Sequence, residues 1–395
     1  MPPMNPRLEQ RDVNALLRIG ALVHGRADVI HLEFGEPDFP TPAHIVAAAQ
    51  ASLANERQTY GPGPGLPSLR AAIAERVARV NRFAPQPEQV VATMGGTGGL
   101  MCATLALCAP GDEVLTPDPA WPGYDAMIAT AGASLVSYPL APASGWEPDL
   151  DALEALCTPQ TKVLILNSPA NPTGAVFRRE TVERLVDFAQ RRHLWILSDE
   201  CYDQLIYTGE HLSPATLDPE RVVTIGTCSK AYAMTGWRVG WAVAPKRIAA
   251  AIGIASTAAI NNIPTFVQRA AEAALTGPQD SVGKMRDAYQ RRRDLATRLL
   301  DAQSLLEYTP SGAFYLLIDV ARASGLPPDA PFDNLTFAEA LLREKAIAVG
   351  PGTAFGERIP RHVRVSLARG DDEIQAGISG ALEFAHSYTE RALTR

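Results

Sequence analysis

The chain has 395 residues, of which 46% are hydrophobic and 20% are charged. A soluble globular protein of this length is expected to form two domains. The formal net charge of −7 gives no sign of the basic surface that a nucleic-acid partner requires. No apolar run is long enough to span a bilayer, and residues 1–9 lack the apolar core of a signal peptide. The five cysteines lack metal-ligand spacing, so we expect reduced thiols in a cytoplasmic protein without a metal site.

The N-terminal segment combines a helical pattern with a rigid loop. Residues 7–27 carry apolar side chains at helical spacing and are predicted to form an arm. Residues 29–34 alternate like a short strand. Three prolines and a glycine in residues 35–42 then enforce an extended, bent loop. By itself this loop is compatible with a linker between two domains.

A glycine-rich segment, residues 95–99, stands between a predicted strand at 89–94 and a predicted helix at 100–108. Glycines at such a turn let backbone N–H groups and the helix dipole face an anion. A dinucleotide fingerprint would need a further glycine where Met101 stands, so NAD binding is not expected. Before this segment, helices are predicted at residues 44–55 and 68–81, and a loop is predicted between them at residues 60–67.

Three further apolar runs predict strands that each lead to a polar or aromatic side chain. They lie at residues 113–116, 162–166 and 194–197, and they lead to Trp121, Asn171 and Asp199 respectively. Ligand sites of open α/β sheets lie at the carboxyl ends of the strands. A carboxylate such as that of Asp199 is costly to bury unless it meets a cation or strong donors. A helix N-cap is the alternative interpretation of Asp199.

The loop that contains Lys230 lies between two predicted strands, at residues 222–225 and 241–244. An amine among apolar neighbours is pushed towards its neutral, nucleophilic form. Arg238, eight residues further on, offers a forked donor that suits a phosphate. This pair is what an aldehyde cofactor with a phosphate group requires. The same residues are also compatible with a surface turn that carries two solvated charges.

Alternating strands and helices between residues 44 and 276 predict an α/β fold with a mostly parallel sheet and helices on both faces. The polar tract at 290–294 is interpreted as a solvated helix face. Strands are predicted at residues 311–318, 347–349 and 362–368. Arg364 in the last of these would, taken alone, be an ordinary charge on an edge strand.

Two motifs carry a resemblance that covers most of the chain. Residues 229–241, Ser-Lys-Ala-Tyr-Ala-Met-Thr-Gly-Trp-Arg-Val-Gly-Trp, resemble the signature of the fold-type I, class I/II aminotransferases, which use pyridoxal 5′-phosphate (PLP). Residues 167–174, Asn-Ser-Pro-Ala-Asn-Pro-Thr-Gly, resemble a second motif of that family. The resemblance implies a large PLP-binding domain at 44–288. It also implies a smaller α/β domain, built from residues 1–43 and 289–395.

The resemblance implies roles for the side chains around the cofactor ring. In this family the lysine at the Lys230 position holds PLP as a Schiff base and later moves the substrate proton. Asp199 would keep the pyridine nitrogen protonated. Tyr202 and Asn171 would bind the phenolic oxygen, and Trp121 would stack on the ring. Lys230, Asp199 and Tyr202 are therefore the predicted catalytic residues.

Further roles concern the phosphate and the substrate. The residues implied to hold the phosphate are Gly96, Thr97, Gly98, Thr227, Ser229 and Arg238. The family forms dimers, in which Tyr60 would reach the phosphate in the other subunit. Arg364 would fork onto the substrate α-carboxylate. Gly35, through its backbone N–H, Trp121 and Asn171 would complete the substrate site.

The implied reaction is transfer of an amino group from an L-amino acid to a 2-oxo acid, with 2-oxoglutarate or pyruvate as the expected acceptor. Another PLP reaction on the same scaffold, such as β-elimination from a cysteine conjugate, decarboxylation or racemisation, is an alternative. A non-catalytic effector-sensing domain is a further one. The donor side chain is not readable from the sequence, and aspartate, alanine and aromatic amino acids all remain open.

Overall fold

The computed structural model describes residues 14–392, so residues 7–13 of the predicted arm lie outside the described part. The helices of this part are α1 (Ala15–Val23), α2 (Ala43–Asn55), α3 (Pro67–Val80), α4 (Gly95–Leu107), α5 (Gly123–Ala131), α6 (Leu150–Leu156), α7 (Arg179–Arg191), α8 (Lys246–Ile260), α9 (Thr265–Thr276), α10 (Asp280–Asp301), α11 (Val320–Ala323), α12 (Asn334–Lys345) and α13 (Asp371–Ala392). None of them is long and apolar enough to cross a membrane.

The strands form two separate sheets. They are β1 (Ile30–Leu32), β2 (Val90–Thr93), β3 (Glu113–Asp118), β4 (Ser134–Pro139), β5 (Thr161–Asn167), β6 (Trp195–Asp199), β7 (Val222–Thr227), β8 (Gly240–Val243), β9 (Tyr315–Asp319), β10 (Ile347–Pro351) and β11 (His362–Ser366). Short 3-10 turns lie at Pro87–Gln89, Pro142–Ser144, Pro214–Thr216, Thr235–Trp237 and Gly352–Ala354.

The larger sheet has seven strands in the order β2-β8-β7-β6-β5-β3-β4. Strands β4, β3, β5, β6 and β7 run parallel, whereas β8 is antiparallel to both of its neighbours. Helices cover both faces, as the alternation along β5 illustrates. Val163 and Ile165 pack with side chains of α4, α5 and α8, whereas Leu164 and Leu166 pack with side chains of α6 and α7. The predicted α/β fold with a mostly parallel sheet is therefore confirmed.

The smaller sheet has four strands in the order β1-β10-β11-β9. It joins a strand from the N-terminal region to three strands from the C-terminal region, because β1 pairs in parallel with β10. Strand β11 lies inside this sheet, between β10 and β9. Arg364 on β11 is buried, so the interpretation as an edge-strand charge is wrong.

Helix α10 passes from the larger sheet's helices to the smaller sheet. The polar tract at 290–294 lies in this helix, but its interpretation as a solvated face is wrong for two arginines. Arg292 and Arg293 are both buried. Arg292 forms ion pairs with Asp38 and Asp371, and Arg293 donates to the backbone oxygen of Pro310 at 2.6 Å. Asp38, Asp371 and Pro310 all lie outside this helix, so its periodicity could not reveal them.

Helix α4 begins at Gly95, which is five residues earlier than the sequence predicts. The glycines at 95–99 therefore form the first turns of the helix instead of a loop before it. Gly95 has a φ of +69°, and a Cβ atom on it would lie 2.8 Å from Nη2 of Arg238. Only glycine suits both this backbone angle and this close contact. The helix can consequently begin directly against the loop that follows β7.

Candidate active site

A cavity of about 880 Å³ lies where the carboxyl ends of β5, β6 and β7 meet β9 and β11 of the smaller sheet. Twelve predicted site residues line this one cavity: Gly35, Gly96, Thr97, Trp121, Asn171, Asp199, Tyr202, Thr227, Ser229, Lys230, Arg238 and Arg364. Two predicted residues do not line it. Gly98 lies further along α4, and Tyr60 is 85% exposed on the surface of the chain.

Lys230 reaches from the loop after β7 towards the smaller sheet. Its Nζ donates to the backbone oxygen of Gly35 at 2.7 Å. The rings of Tyr202 and Phe314 lie below it, with their centroids 5.7 and 5.8 Å from Nζ. The amine thus has a backbone acceptor and two aromatic faces around it, and it can turn into the cavity when a ligand enters.

Asp199 ends β6 and is buried. Its Oδ2 accepts from the hydroxyl of Tyr124 at 2.7 Å, and its Oδ1 accepts from the backbone N–H of Cys201 at 3.2 Å. Burial raises the pKa of the Asp199 carboxyl above its ordinary value, although these donors oppose the change. No described lysine, arginine or histidine lies within ion-pair distance of Asp199. The carboxylate is therefore suited to a cation that a ligand brings.

The N-terminus of α4 and the loop after β7 form an anion site. Thr97 and the backbone N–H groups of the first helical turn present partial positive charge. Arg238 lies against Gly95 and is oriented by a 2.7 Å hydrogen bond from Nη1 to the backbone oxygen of Thr235. The hydroxyl of Thr227 donates to that of Ser229 at an oxygen–oxygen distance of 2.9 Å. Guanidinium, hydroxyl and helix-end donors together match a phosphate.

Arg364 projects from β11 into the opposite side of the cavity. Its guanidinium lies between the rings of Tyr315 and Phe355, 4.3 and 4.4 Å from their centroids. Nη1 donates to Oδ1 of Asn171 at 2.9 Å, and Nη2 donates to the backbone oxygen of Glu33. Burial lowers the pKa of Arg364. Its Nε has no hydrogen-bond partner, and no described carboxylate lies within ion-pair distance of it.

The sequence interpretation missed Tyr315, which lines the cavity from β9. Its hydroxyl lies 2.6 Å from that of Tyr202. Burial, together with this neighbouring phenol, raises the pKa of Tyr202 well above its ordinary value, so Tyr202 stays a neutral donor. A Cβ atom on Gly35 would lie 1.8 Å from the Tyr315 hydroxyl. The glycine at this position was the signal in the sequence that a side chain approaches the loop closely.

Further lining residues that the sequence interpretation did not place there are Asn14, Leu16, Leu17, Phe34, Glu36, Leu100, Pro122, Gly123, Asp125, Ala126, Asn167, Cys201, Thr235 and Gly236. Several of them come from α1 and from the segment after β1. Tyr124, the hydrogen-bond partner of Asp199, was missed as well. Asn167, Thr235 and Gly236 lie within the two motifs quoted above, although no role at the cavity was predicted for them. The places of the residues from α1 and from the segment after β1 depend on how the two sheets pack together.

Known proteins match this sequence over most of its length. A profile of the family described as aminotransferase class I and II matches residues 27–376. The chain belongs to the class I and II aminotransferases. One relative in this family is the aspartate/prephenate aminotransferase of Thermus thermophilus, which is 40% identical over 357 residues and is covered over 89% of each chain.

Solved aminotransferase structures match the fold as well. A single mutant of Thermus thermophilus aspartate aminotransferase superposes with a TM-score of 0.90 at 37% identity, over 97% of this chain and 100% of that one. The aromatic aminotransferase of Pyrococcus horikoshii superposes with a TM-score of 0.87 at 34% identity, over 96% and 100% of the two chains. The predicted PLP-dependent aminotransferase, which transfers an amino group from an amino acid to a 2-oxo acid, is confirmed.

The residues of the cavity fit PLP on structural grounds as well. A buried carboxylate without a cationic partner, that of Asp199, suits a protonated ring nitrogen. Gly95 lets the guanidinium of Arg238 lie directly against the first turn of α4, where a Cβ atom would clash with it, and so brings a cation to a helix N-terminus that suits a phosphate. The cavity volume of about 880 Å³ falls within the range of about 300–1,000 Å³ that is common for cofactor and ligand pockets.

Proposed function

We propose that PLP binds this cavity, where Asp199 and Lys230 would hold its ring and the N-terminus of α4 would hold its phosphate. When bound, PLP supplies an aldehyde that captures the substrate amine and a ring that withdraws electrons from the α-carbon. Asp199 keeps the ring nitrogen protonated from its buried position at the end of β6. Trp121 covers one face of the ring and excludes water. Tyr202 and Asn171 donate to the phenolic oxygen.

We infer that the phosphate is held by the donors around the α4 N-terminus. Arg238 supplies the charge, and the hydroxyl groups of Thr97, Thr227 and Ser229 supply further hydrogen bonds. Gly96 contributes its backbone N–H. Gly98, on the following part of the helix, was predicted to do so too, but it does not line the cavity.

We propose that Arg364 binds the substrate α-carboxylate. Its unpartnered Nε and its lack of an acidic partner among the described residues support this role, because a carboxylate would satisfy both at once. Asn171 orients the guanidinium at 2.9 Å. Gly35, whose oxygen accepts from Lys230, places its own N–H near the same carboxylate. The α-carbon would thereby be held next to the amine of Lys230, which would take the α-proton.

The observation that carries this proposal is the convergence of Lys230, Asp199 and Arg364 on one cavity. Borohydride treatment of the purified enzyme should fix the cofactor onto Lys230, which peptide mass spectrometry would identify. Lys230→Ala should lose both the label and transamination. Lys246→Ala is the matched control. The side chain of Lys246 is 67% exposed, and its Nζ lies 3.9 Å from Oε2 of Glu88 at the surface. Normal transamination by Lys230→Ala would reject the assignment.

We propose in addition that the enzyme acts as a homodimer in which Tyr60 completes the phosphate site of the other subunit. The exposed tyrosine outside its own cavity supports this arrangement. The matching experiment mixes Lys230→Ala with Tyr60→Ala subunits. In a hybrid dimer, the site that keeps Lys230 belongs to the Tyr60→Ala subunit, and it would receive the intact Tyr60 of the Lys230→Ala subunit. Activity should therefore rise above that of either variant alone, and no rise would contradict the proposal.

The proposal extends to domains and location. Residues 44–288 would form the large domain, and residues 1–43 with 289–395 the small one; the boundary at 288/289 falls inside α10.

The five free cysteines favour a cytoplasmic enzyme. The amino acceptor is 2-oxoglutarate or pyruvate. The names of the relatives, which include an aspartate/prephenate and an aromatic aminotransferase, leave the donor side chain open.

A further inference from the structure

The charges that line the cavity bear on which amino acid it accepts. Among the described residues that line it, three are cations: Lys230, Arg238 and Arg364. In the function proposed above, on which this inference rests, each of them already has a task. Lys230 reacts with the cofactor, Arg238 binds the phosphate, and Arg364 binds the α-carboxylate. The described wall of the cavity therefore keeps no cation for a second carboxylate on the substrate.

The acidic residues of the cavity point in the same direction. Besides Asp199, the acidic residue Glu36 lines it. A further negative charge on the substrate would be repelled by these residues and would also lose its water shell on entry. Burial of a second carboxylate without a cationic partner is thus unfavourable at this site.

Helix α1 supplies an apolar part of the wall. Leu16 and Leu17 line the cavity from this helix, together with Phe34 after β1. The helix is fixed in place by Asn14, which accepts from the N–H of Leu16 at 2.9 Å and donates to the backbone oxygen of Ala354 at 3.0 Å. Apolar side chains in this position favour an apolar substrate group over a charged one.

The approach of Phe34 to α1 is close. A Cβ atom on Gly20 would lie 2.4 Å from Cζ of Phe34, so the ring packs directly against the helix backbone. Phe34 and α1 consequently form one continuous apolar surface at the cavity. We propose that this enzyme selects amino donors with an uncharged, apolar side chain, aromatic or aliphatic, and discriminates against aspartate and glutamate.

The test measures the first half-reaction of the PLP-loaded enzyme with phenylalanine, leucine, aspartate and glutamate, from the change in cofactor absorption. The expected kcat/KM for the better apolar donor exceeds that of both dicarboxylic donors by at least about tenfold. A smaller ratio overturns the inference. If no donor of either kind reacts although borohydride labels Lys230, the proposed function itself falls together with the inference.

A pair of variants on α1 tests the residue that carries the discrimination. Leu17→Lys places a cation at the cavity wall, whereas Leu22→Lys places one on the same helix at a residue that does not line the cavity. Both leucines are exposed, by 58% and 50%, so both variants should fold. Leu17→Lys should raise the aspartate-to-phenylalanine ratio of kcat/KM by at least about tenfold. Leu22→Lys should leave the ratio at the wild-type value, and equal ratios in the two variants would overturn the assignment to Leu17.

Discussion

Arg292 and Asp38 form a two-point ion pair, in which Nη1 and Nη2 of the arginine donate to the two carboxylate oxygens at 2.8 and 2.7 Å. This pair ties α10 to the loop at 35–42, whose Gly35 accepts the hydrogen bond from Lys230. The same guanidinium pairs with Asp371 at the start of α13 through Nε at 3.2 Å. The position of the loop beside the reacting amine therefore depends on a helix that lies outside the cavity.

We expect Arg292→Gln to lower the free energy of unfolding by about 2–3 kcal/mol, because it leaves the carboxylate of Asp38 unpaired. Asp38→Asn should cost less, because Arg292 keeps its ion pair with Asp371. Both should also raise the KM of the donor, since the loop beside Lys230 loosens. Urea unfolding and steady-state kinetics measure the two effects. Arg286→Gln is the control on the same helix; its pair with Asp287 is exposed and is worth less than about 1 kcal/mol.

The double variant of Arg292 and Asp38 decides whether the two residues act as a pair. The loss of unfolding free energy in the double variant should be smaller than the sum of the two single losses by about 1 kcal/mol or more. The reason is that the second substitution changes a residue whose partner is already absent. Additive costs would show that the ion pair contributes nothing to stability.

Much of the fold and the site could be predicted from local patterns. The strand, the polar loop and the second strand around Lys230 follow from the order of β-branched and polar residues. Asp199 follows from the end of a buried strand. Their roles came from the resemblance instead, because spacing alone left Lys230 compatible with a surface turn.

The residues that were missed depend on contacts between distant segments. Tyr315 reaches Tyr202 only because β9 of the smaller sheet packs against the end of β6, and the alternation along a strand cannot show which of its side chains meets the other sheet. Arg292 was interpreted as solvated for the same reason. Its partner Asp38 lies 254 positions away, and a run of three arginines in a helix usually faces water.

Stability should depend on pH through the buried pair of His211 and Glu200, whose Nε2 and Oε2 are 2.9 Å apart. Burial disfavours the imidazolium, but the charge and the hydrogen bond of Glu200, together with the charge of Asp203, outweigh this effect, and the pKa of His211 is raised above the ordinary 6.5. Below 6.5 the stabilising contribution is fully present, and it is lost as the pH rises through the raised value.

Chemical unfolding at several pH values tests this dependence. In wild type, the free energy of unfolding should fall from pH 6.5 upwards relative to His211→Gln, which lacks the titrating group. Glu200→Gln should reduce the same difference, since His211 then keeps only the charge of Asp203 nearby. Parallel profiles of wild type and His211→Gln would contradict the prediction.

Removal of the cofactor should reverse the effect of Asp199→Asn on thermal stability. In the cofactor-free protein, burial raises the pKa of Asp199 above its ordinary value of 3.8. The folded protein therefore loses stability as the pH rises through 3.8 towards the raised pKa, and this loss persists at neutral pH. Asp199→Asn should therefore raise the Tm of the cofactor-free protein by about 2 °C or more. With PLP bound, the wild type should be the more stable of the two, because only it offers a counter-charge to the ring nitrogen. A variant that is less stable in both states would contradict this account.

Arg364 and Arg76 are equally buried, each 2% exposed, yet their replacement by leucine should affect different properties. Arg76→Leu should mainly lower stability, and Arg364→Leu should mainly lower activity. Arg76 donates to both oxygens of Asp203 at 2.6 Å, so Arg76→Leu leaves a buried carboxylate unpaired and should cost about 3–5 kcal/mol of stability. Arg364 has no described acidic partner within ion-pair distance, so Arg364→Leu leaves no buried carboxylate unpaired; it removes only hydrogen bonds to Asn171 and to the backbone oxygen of Glu33 and the contacts with two aromatic rings. Arg364→Leu should therefore cost less stability than Arg76→Leu, whereas kcat/KM for the amino donor should fall at least about thirtyfold through the loss of a two-point carboxylate bond. Urea unfolding of the two variants beside donor kinetics of Arg364→Leu provides the comparison. Equal losses of stability would mean that Arg364 stabilises the fold, and unchanged kinetics would mean that it does not bind the substrate.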